Sequence, residues 1–474
     1  MTVSTKDAAL KRAARHTALI AAVFTLSIRV IGQGMPPPAT GSVSTIEPKP
    51  AQRQALFVET FDVVWQTIRD SYYDRTFRGI DWDEARTELR PRATSAASTE
   101  ELRDVLRELL ARLGESHFKI WPQSADEQRA ALTPIPQMRG TVGVDHRWIS
   151  DALLITRLER DGAAWAAGVR PGWTIESIEG IQVVKYLLHA AKPELTPARR
   201  LKAAWLAVSN VLDGAVGDAV HVRFHDAEGS LRSLALDRRA PVASGVSIAG
   251  LPSLPMEFEA RAVPVASGGA IAVIRFSVFA PEVLARLAEA LDLLRAAGPL
   301  DGVVLDLRGN RGGYGPMIAG LGGLFLDRPC VLARLRSRDS ELAYQTVPQP
   351  STFHGPLGLL VDGLTASTGE VFAGGLQSIG RARIFGDRTL GAALPSYTRT
   401  LPTGDLLQYV VADLRLPDGR RIEGSGVMPD EVVYPSRPTL LQGRDPALEA
   451  ASNWIVASRK SADTNTSLRC QAGG

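Results

Sequence analysis

The hexapeptide Thr365-Ala366-Ser367-Thr368-Gly369-Glu370 indicates how the second half of the chain is built. The short apolar run LGLLV (357–361) precedes it, and VFAGGLQ (371–377), which follows, has the apolar spacing of a helix. The order strand, tight turn, helix would project the Ser367 hydroxyl at the carboxyl edge of a sheet. The free N–H groups of the new helix point at the same spot, so a nucleophile and oxyanion donors can come from one turn.

The same six residues also fit a purely structural pattern. Ser367 followed three residues later by Glu370 is a Ser-x-x-Glu capping box, and such boxes are far commoner than active sites. The strict Gly-x-Ser-x-Gly elbow is absent, because Thr365 stands two residues before the serine. On these residues alone, both interpretations stay open.

Length and composition indicate a globular protein of several domains. The chain has 474 residues, of which 45% are hydrophobic and 22% charged, enough for two to four domains with their own cores. The net charge of +3 is small and no basic block stands out, so no nucleic-acid partner is expected. Cys330 and Cys470 are too far apart for a metal motif; a single disulfide between them stays open, although the polar tail around Cys470 gives it no support.

Lysine is absent between Lys202 and Lys460, so the basic residues of the second half are arginines. A lysine base from that half is therefore excluded. At the other end, residues 1–51 carry basic residues, an apolar run over 17–28 and a Pro-rich stretch. This pattern predicts an export signal, or a retained membrane anchor, plus a linker. A periplasmic, envelope-associated or secreted protein is expected, and a disordered extension on a cytosolic protein is the alternative.

The rest of the chain divides into four parts by its patterns. Residues 52–135 have helical periodicity with a capping box at Ser98, and residues 139–240 have strand patterns with a helical insertion over 190–212. Residues 246–440 alternate strands and helices, with a Gly-rich loop at 309–313 and final hairpins turning at 402–405 and 417–419. Residues 441–474 are expected to form a C-terminal helix and a disordered tail.

Residues 139–240 resemble a PDZ domain, although Trp173 replaces the usual Asp and Glu179-Gly180 the usual Asn-Gly. Such a domain adds the C-terminus of a peptide as an extra strand. The resemblance therefore implies selection of peptide or protein substrates by their C-terminus.

Five blocks in order resemble the signature of the S41 serine peptidases, a family that comprises the C-terminal processing and tricorn-type peptidases. They are GESHF (114–118), DLRGNRGG (306–313), TASTGE (365–370), GDRTLG (386–391) and EGSGVMPD (423–430). The resemblance covers residues 55–435 and implies a multidomain α/β protein: a helical N-terminal domain, a PDZ-like domain and a ClpP/crotonase-like catalytic domain.

The resemblance also implies which residues act. The C-terminal processing branch has a lysine base where this chain has Ala392, and no lysine nearby in sequence substitutes for it. The tricorn-like branch uses a Ser-His pair and a late glutamate, and both are present. This similarity implies Ser367 as nucleophile, His117 as general base, and Glu423 with Ser116 orienting the imidazole. His354 is a weaker candidate for the base.

The oxyanion hole implied by the resemblance consists of the Thr368 N–H and an N–H of Gly312 or Gly313, with no metal and no cofactor. The sequence therefore predicts a serine peptidase that cleaves exported proteins or peptides through an acyl-enzyme. A non-catalytic protein that keeps the fold to bind peptides or small lipophiles is the alternative. The oligomeric state stays open.

Overall fold

The computed structural model describes residues 50–122, 139–190, 195–241, 244–246, 254–266, 268–460 and 469–470. The predicted export signal lies outside these ranges, and so does most of the predicted disordered tail. Among the described residues, no helix is both long and apolar enough to cross a membrane. Residues from Pro50 onward form one compact unit.

The first described segment is helical, as predicted. Its helices are α1 (Pro50–Ser71), α2 (Trp82–Ser95) and α3 (Thr99–Ala111), followed by strand β1 (Lys119–Trp121). The Ser98 side chain accepts a hydrogen bond from the Glu101 N–H, which confirms the capping signal. Apolar stripes of the three helices pack into one buried core. The turn that carries Ser116 and His117 thus lies between α3 and β1.

Residues 139–240 form an antiparallel sheet with helices, and their identity as a PDZ-like domain remains a prediction. The strands are β2 (Arg139–Gly140), β3 (Val144–Ile149), β4 (Ala152–Leu158), β5 (Thr174–Ile178), β6 (Ile181–Gln182), β7 (Gly214–Ala215), β8 (Ala219–His225) and β9 (Leu231–Asp237). The helices are α4 (Ala163–Ala166), α5 (Val183–His189) and α6 (Pro197–Leu212). The sheet order is β3-β4-β5-β8-β9, with β6 paired to β5. The predicted helical insertion is therefore present, but its long helix begins only at Pro197.

The remaining elements build the α/β part. Its strands are β10 (Ser244–Val246), β11 (Leu254–Met256), β12 (Phe258–Pro264), β13 (Ala270–Phe276), β14 (Leu300–Asp306), β15 (Val331–Arg336), β16 (Glu341–Gln345), β17 (Leu357–Val361), β18 (Arg383–Gly386), β19 (Ser396–Thr400), β20 (Leu406–Val410), β21 (Asp413–Arg415) and β22 (Glu431–Val432). Its helices are α7 (Pro281–Ala297), α8 (Met317–Gly323), α9 (Thr368–Ser378), α10 (Arg437–Leu441) and α11 (Pro446–Lys460).

The main sheet has the order β12-β13-β14-β17-β18-β22, with every pairing parallel except β12 with β13. Apolar residues of α7, α8 and α9 pack in the core on one face, and α11 covers the other face. Strands β14, β17 and β18 are parallel neighbours, so the three loops that follow them meet at one edge of the sheet. This adjacency brings the 307–313 loop, the Ser367 turn and the 387–392 loop together.

Strand β1 joins the late hairpin rather than a sheet of its own segment. The predicted hairpin at 402–405 connects β19 to β20, and β1 pairs with β20 from Lys119 opposite Gln408 to Trp121 opposite Leu406. This pairing carries the turn before β1 across to the α/β part. The buried ion pair between Arg103 and Asp405, at 2.8 Å, ties α3 to the same hairpin.

At the end of the chain, one expectation needs correction, and the disulfide that the sequence left open is formed. The turn at 417–419 forms, with the Gly419 N–H bonded to the Leu416 carbonyl, but β21 pairs with β15 instead of with a strand after the turn. Cys330 and Cys470 are joined by a disulfide, with their Cα atoms 4.9 Å apart across 140 residues of sequence. Residues 469–470 therefore lie against the α/β part, where the Arg469 N–H also donates to the Ile379 carbonyl.

Candidate active site

Ser367 occupies the tight turn between β17 and α9, with φ at 54° and ψ at −124°. A non-glycine residue in this region is strained, and the surrounding contacts must hold it there. Its N–H donates to the Ala392 carbonyl at 2.7 Å and to Glu370 Oε2 at 3.1 Å. Its hydroxyl oxygen lies 3.1 Å from His117 Nε2. The turn thus holds the backbone of Ser367 while its hydroxyl faces the imidazole.

Glu370 is the residue that fixes this turn. Its carboxylate is fully buried and accepts hydrogen bonds from Thr389 Oγ1 at 2.5 Å, the Gly391 N–H at 2.7 Å and the Ala392 N–H at 2.9 Å, besides that from Ser367. Burial raises the pKa of Glu370 to about 7, although these donors favour the charged form. Glu370 therefore connects the Ser367 turn to the loop after β18, which is a structural task.

A chain of hydrogen bonds extends from Ser367 to Glu423. Ser116 Oγ lies 2.6 Å from His117 Nδ1 and donates to Glu423 Oε2 at 2.8 Å. A carboxylate only accepts, so Ser116 gives it its one proton and accepts from the Nδ1–H of His117. Nε2 is then unprotonated and can accept the proton of Ser367. This network assigns His117 the tautomer that a general base requires.

The Glu423 carboxylate is buried inside the protein, where it meets several donors. Its side chain is 4% exposed, and Oε1 accepts from the Ser116 N–H at 2.8 Å and pairs with Arg199 Nη2 at 2.9 Å. Oε2 also accepts from the Ala393 N–H at 3.0 Å. Among the described residues, Glu423 therefore forms no surface ion pair with the arginines that precede it in sequence. Arg420 binds Asp418, and Arg421 binds Asp413 and Glu115.

The 309–313 loop lies directly against the Ser367 turn. A Cβ on Gly312, whose φ is +88°, would come within 2.5 Å of Ser367 Cβ, so only glycine fits there. The Gly312 N–H is already engaged by Asn310 Oδ1 at 2.9 Å. The N–H groups of Gly313 and Thr368 have no hydrogen-bond partner in the part of the chain that the structure describes. Of the predicted oxyanion donors, these two are available to a ligand.

Helix α6 reaches the site, a contact that no sequence pattern predicts. Ala198 packs on Ala366, Leu390 and Ala392, and Arg199 binds Glu423. Helix α6 also carries Lys202, whose positive charge acts on His117, so a lysine that is distant in sequence lies near the site. No local pattern links Arg199 to Glu423, because the two residues are 224 positions apart in the chain.

The electrostatics keep His117 neutral. Burial lowers the pKa of His117 to about 4, and the positive charges of Lys202 and Arg199 act in the same direction. His354, the other candidate base, precedes β17 and so lies at its amino end, whereas Ser367 follows the carboxyl end. The His354 side chain is 68% exposed, with Asp327 at 4.0 Å. The arrangement around Ser367 can therefore do acyl-transfer chemistry with His117 as proton acceptor.

Comparison with known proteins adds two domain matches and several relatives. Residues 270–433 match the domain described as Peptidase family S41, and residues 54–111 match the Tricorn protease C1 domain. The chloroplastic C-terminal processing peptidase of Tetradesmus obliquus is 27% identical over 404 residues, which are 82% of this chain and 79% of that protein. The carboxyl-terminal-processing protease of Picosynechococcus sp. is 34% identical over 172 residues, 36% of this chain and 41% of that protein.

Two solved structures share the fold. The photosystem II D1 C-terminal processing protease is 23% identical with a TM-score of 0.53, covering 88% of this chain and 99% of that chain. Mature CPAF is 14% identical with a TM-score of 0.60, covering 88% of this chain and 99% of that chain. At these identities the similarity concerns the mixed α/β, multidomain fold and not the activity.

Proposed function

Because the chain belongs to peptidase family S41 and is a serine peptidase, we propose that it cleaves peptide bonds through an acyl-enzyme on Ser367, with His117 as the base. The observation that carries this proposal is the 3.1 Å contact between His117 Nε2 and Ser367 Oγ, whose residues are 250 positions apart. A serine hydroxyl is a poor nucleophile at neutral pH until an adjacent base takes its proton. The neutral His117, with Nε2 free to accept, meets that requirement.

In the proposed reaction, Ser367 Oγ attacks the scissile carbonyl carbon while its proton passes to His117 Nε2. The N–H groups of Thr368 and Gly313 then stabilise the oxyanion of the tetrahedral intermediate. The protonated His117 gives its proton to the leaving amine, and an acyl-enzyme on Ser367 remains. Water deprotonated by the same imidazole releases the product and restores Ser367.

Ser116 and Glu423 act on the imidazole in this proposal. When Nε2 takes the proton of Ser367, the ring becomes positively charged in a half-buried position, which is unfavourable without a compensating charge. The Glu423 carboxylate supplies that charge through Ser116 Oγ, and the same hydrogen bonds keep the ring oriented. The Arg199 guanidinium pairs with the Glu423 carboxylate and holds it in place.

The substrate in this proposal is a peptide or a protein, as the family implies. The names of the relatives refer to processing at protein C-termini, which supports a substrate cut near its C-terminal end. We also keep the proposal that residues 139–240 act as a PDZ-like domain on substrate C-termini and that the substrates are exported. The antiparallel sheet and the helices of residues 139–240 are compatible with a PDZ-like domain.

The test is labelling with a fluorophosphonate probe, which reacts with activated serines, followed by peptide mapping in a mass spectrometer. One adduct is expected, on the peptide that contains Ser367, and it should be lost in Ser367→Ala. Ser337→Ala, which removes an exposed turn hydroxyl, is the matched control and should keep the adduct. An unlabelled wild-type protein would contradict the proposal and favour the non-catalytic binding protein.

The pH dependence of activity should follow the lowered pKa of His117. The base form is the active form, and it persists until the pH falls through the pKa, which burial and the charges of Lys202 and Arg199 lower to about 4. We expect kcat/KM for an uncharged peptide to stay constant from pH 7 down to roughly pH 5 and to be halved near pH 4. Intrinsic fluorescence at each pH separates this loss from acid unfolding, and a midpoint at 6.5 or above would refute the assignment.

A further inference from the structure

Three cationic residues belong to separate segments that reach the Ser367–His117 pair. Lys119 stands two residues after His117 at the start of β1, and Arg311 directly precedes Gly312, which contacts the Ser367 turn. Lys202 belongs to α6, whose residue Ala198 packs on Ala366 beside Ser367. We call these three residues the cationic cluster. The proposed mechanism uses none of them.

The position of Lys202 follows from two contacts of α6. Arg199 Nη2 binds Glu423 at 2.9 Å, and the Arg311 guanidinium lies over the Trp205 ring, with its carbon 4.9 Å from the ring centroid. Residues 199, 202 and 205 are spaced by three and therefore share one face of the helix. Lys202 lies between the two contacts, on the face that is turned towards Glu423 and the 309–313 loop.

Within the described ranges, Lys119, Lys202 and Arg311 form no ion pair with any carboxylate, in contrast to Arg199. Lys119 Nζ instead lies 3.8 Å from the centroid of the Trp121 ring, an aromatic contact that adds no negative charge. Negative charges act on Arg311 only from beyond ion-pair distance, namely those of Asp213, Glu257 and Asp145. Glu370 is the carboxylate that acts on Lys202, and four donors already engage it. An anionic ligand would therefore meet unpaired cations.

The two lysines are also partly withdrawn from water. Burial lowers the pKa of Lys119 to about 8, with further contributions from the charges of Lys202 and Arg311. Burial likewise lowers the pKa of Lys202 to about 8, and Arg311 and Arg199 act in the same direction while Glu370 opposes them. Half-buried like charges cost free energy when they stand together. That cost is offset when a negative group binds among them.

We propose that the cationic cluster of Lys119, Lys202 and Arg311 binds a carboxylate of the substrate close to the scissile bond, and so determines cleavage specificity. This inference rests on the proposed peptidase function. The carboxylate is either an Asp or Glu side chain or the free C-terminus of the substrate, because both present the same chemistry to the three cations. Bidentate contact with Arg311 and point-charge contacts with the two lysines would hold it.

The test compares peptides that differ only in this charge. One series places Asp or Asn at each of the three positions on either side of the cleaved bond, and a second ends in a free acid or an amide. At one position we expect kcat/KM to be about tenfold or more higher for the acid than for its neutral partner, with the ratio falling as salt is added. The series that gives the preference identifies the source of the carboxylate.

Substitutions assign the preference to the cluster. Lys202→Met should bring the acid-to-neutral ratio close to one, whereas Lys202→Arg, which keeps the charge, should restore most of it. Lys185→Met is the matched control, because Lys185 is exposed on α5, and its ratio should equal that of the wild type. Fluorophosphonate labelling of every variant shows whether the Ser367 site is intact.

The outcomes separate this inference from the function on which it rests. Hydrolysis of neutral and acidic peptides at equal rates by a labelled wild-type enzyme would refute the carboxylate site and leave the peptidase function standing. A preference for acidic peptides that survives in Lys202→Met and Arg311→Met would also refute the carboxylate site and leave the peptidase function standing. A protein that neither reacts with the probe nor cleaves any peptide would refute the proposed function, and this inference with it.

Discussion

Replacing His117 with asparagine should lower kcat/KM for peptide hydrolysis by on the order of 10⁴-fold or more, because no other group takes the proton of Ser367. Asparagine is the appropriate substitution, since His117 has φ at 63° and asparagine tolerates this left-handed region better than alanine. The fold should remain intact. The reaction would be measured with a fluorogenic peptide, and folding by circular dichroism and thermal unfolding.

His354→Asn is the matched control for this experiment. His354 is the other histidine of the α/β part, but it is exposed and lies at the opposite end of β17 from Ser367. Its variant should cleave peptides at the wild-type rate. If His117→Asn kept a tenth or more of the wild-type activity while folded, His117 would not be the base, and Lys202 would be the next group to test.

Replacing Glu423 with glutamine should lower kcat by about 10²- to 10³-fold, because the imidazolium that forms during the reaction loses its compensating charge. The amide also cannot accept from all the donors that now meet the carboxylate. The free energy of unfolding should therefore fall by about 1–3 kcal/mol. The rate of hydrolysis of the fluorogenic peptide measures the loss of kcat, and chemical denaturation measures the loss of unfolding free energy.

A readout beyond stability separates the charge of Glu423 from a purely structural role. A nearby negative charge favours the protonated imidazole, so its loss should move the acid midpoint of kcat/KM to lower pH than in the wild type. Glu431→Gln, which removes a partly exposed carboxylate paired with Arg383 at 3.4 Å, is the matched control. An activity within threefold of the wild type and an unmoved midpoint would exclude Glu423 from the relay.

Much of the local structure was predictable from the residues. The cap of Ser98 on α3, the strand over 357–361 and the helix over 281–297 are present where the periodicity and the capping residues indicate them. These signals act over one or two turns of chain, so the sequence contains them completely. The geometry around Ser367 was foreseen only through the resemblance of five separated blocks to a family, not through any one block.

Other features depended on contacts that no local pattern records. The disulfide between Cys330 and Cys470 spans 140 residues, and the polar tail gave no hint of it. Strand β21 found its partner in β15 rather than across the neighbouring turn. Helix α6 was foreseen as an insertion, but its contacts with Glu423 and the Ser367 turn were not, because helical periodicity says which face is apolar and not what it covers.

The sequence by itself determined the helices, most strands, the tight turn at Ser367 and the glycines beside it, because backbone preferences and capping act between near neighbours. Only the tertiary structure decided that His117 faces Ser367 and that Glu423 reaches Ser116 across 307 residues. It also decided that Arg199 binds Glu423 and that the charge of Lys202 acts on His117. Parallel pairing of β14, β17 and β18 gathers three loops at one edge, and the pairing of β1 with β20 brings the imidazole to them. Such distances are fixed by the packing of whole elements, for which a short stretch of sequence carries no signal.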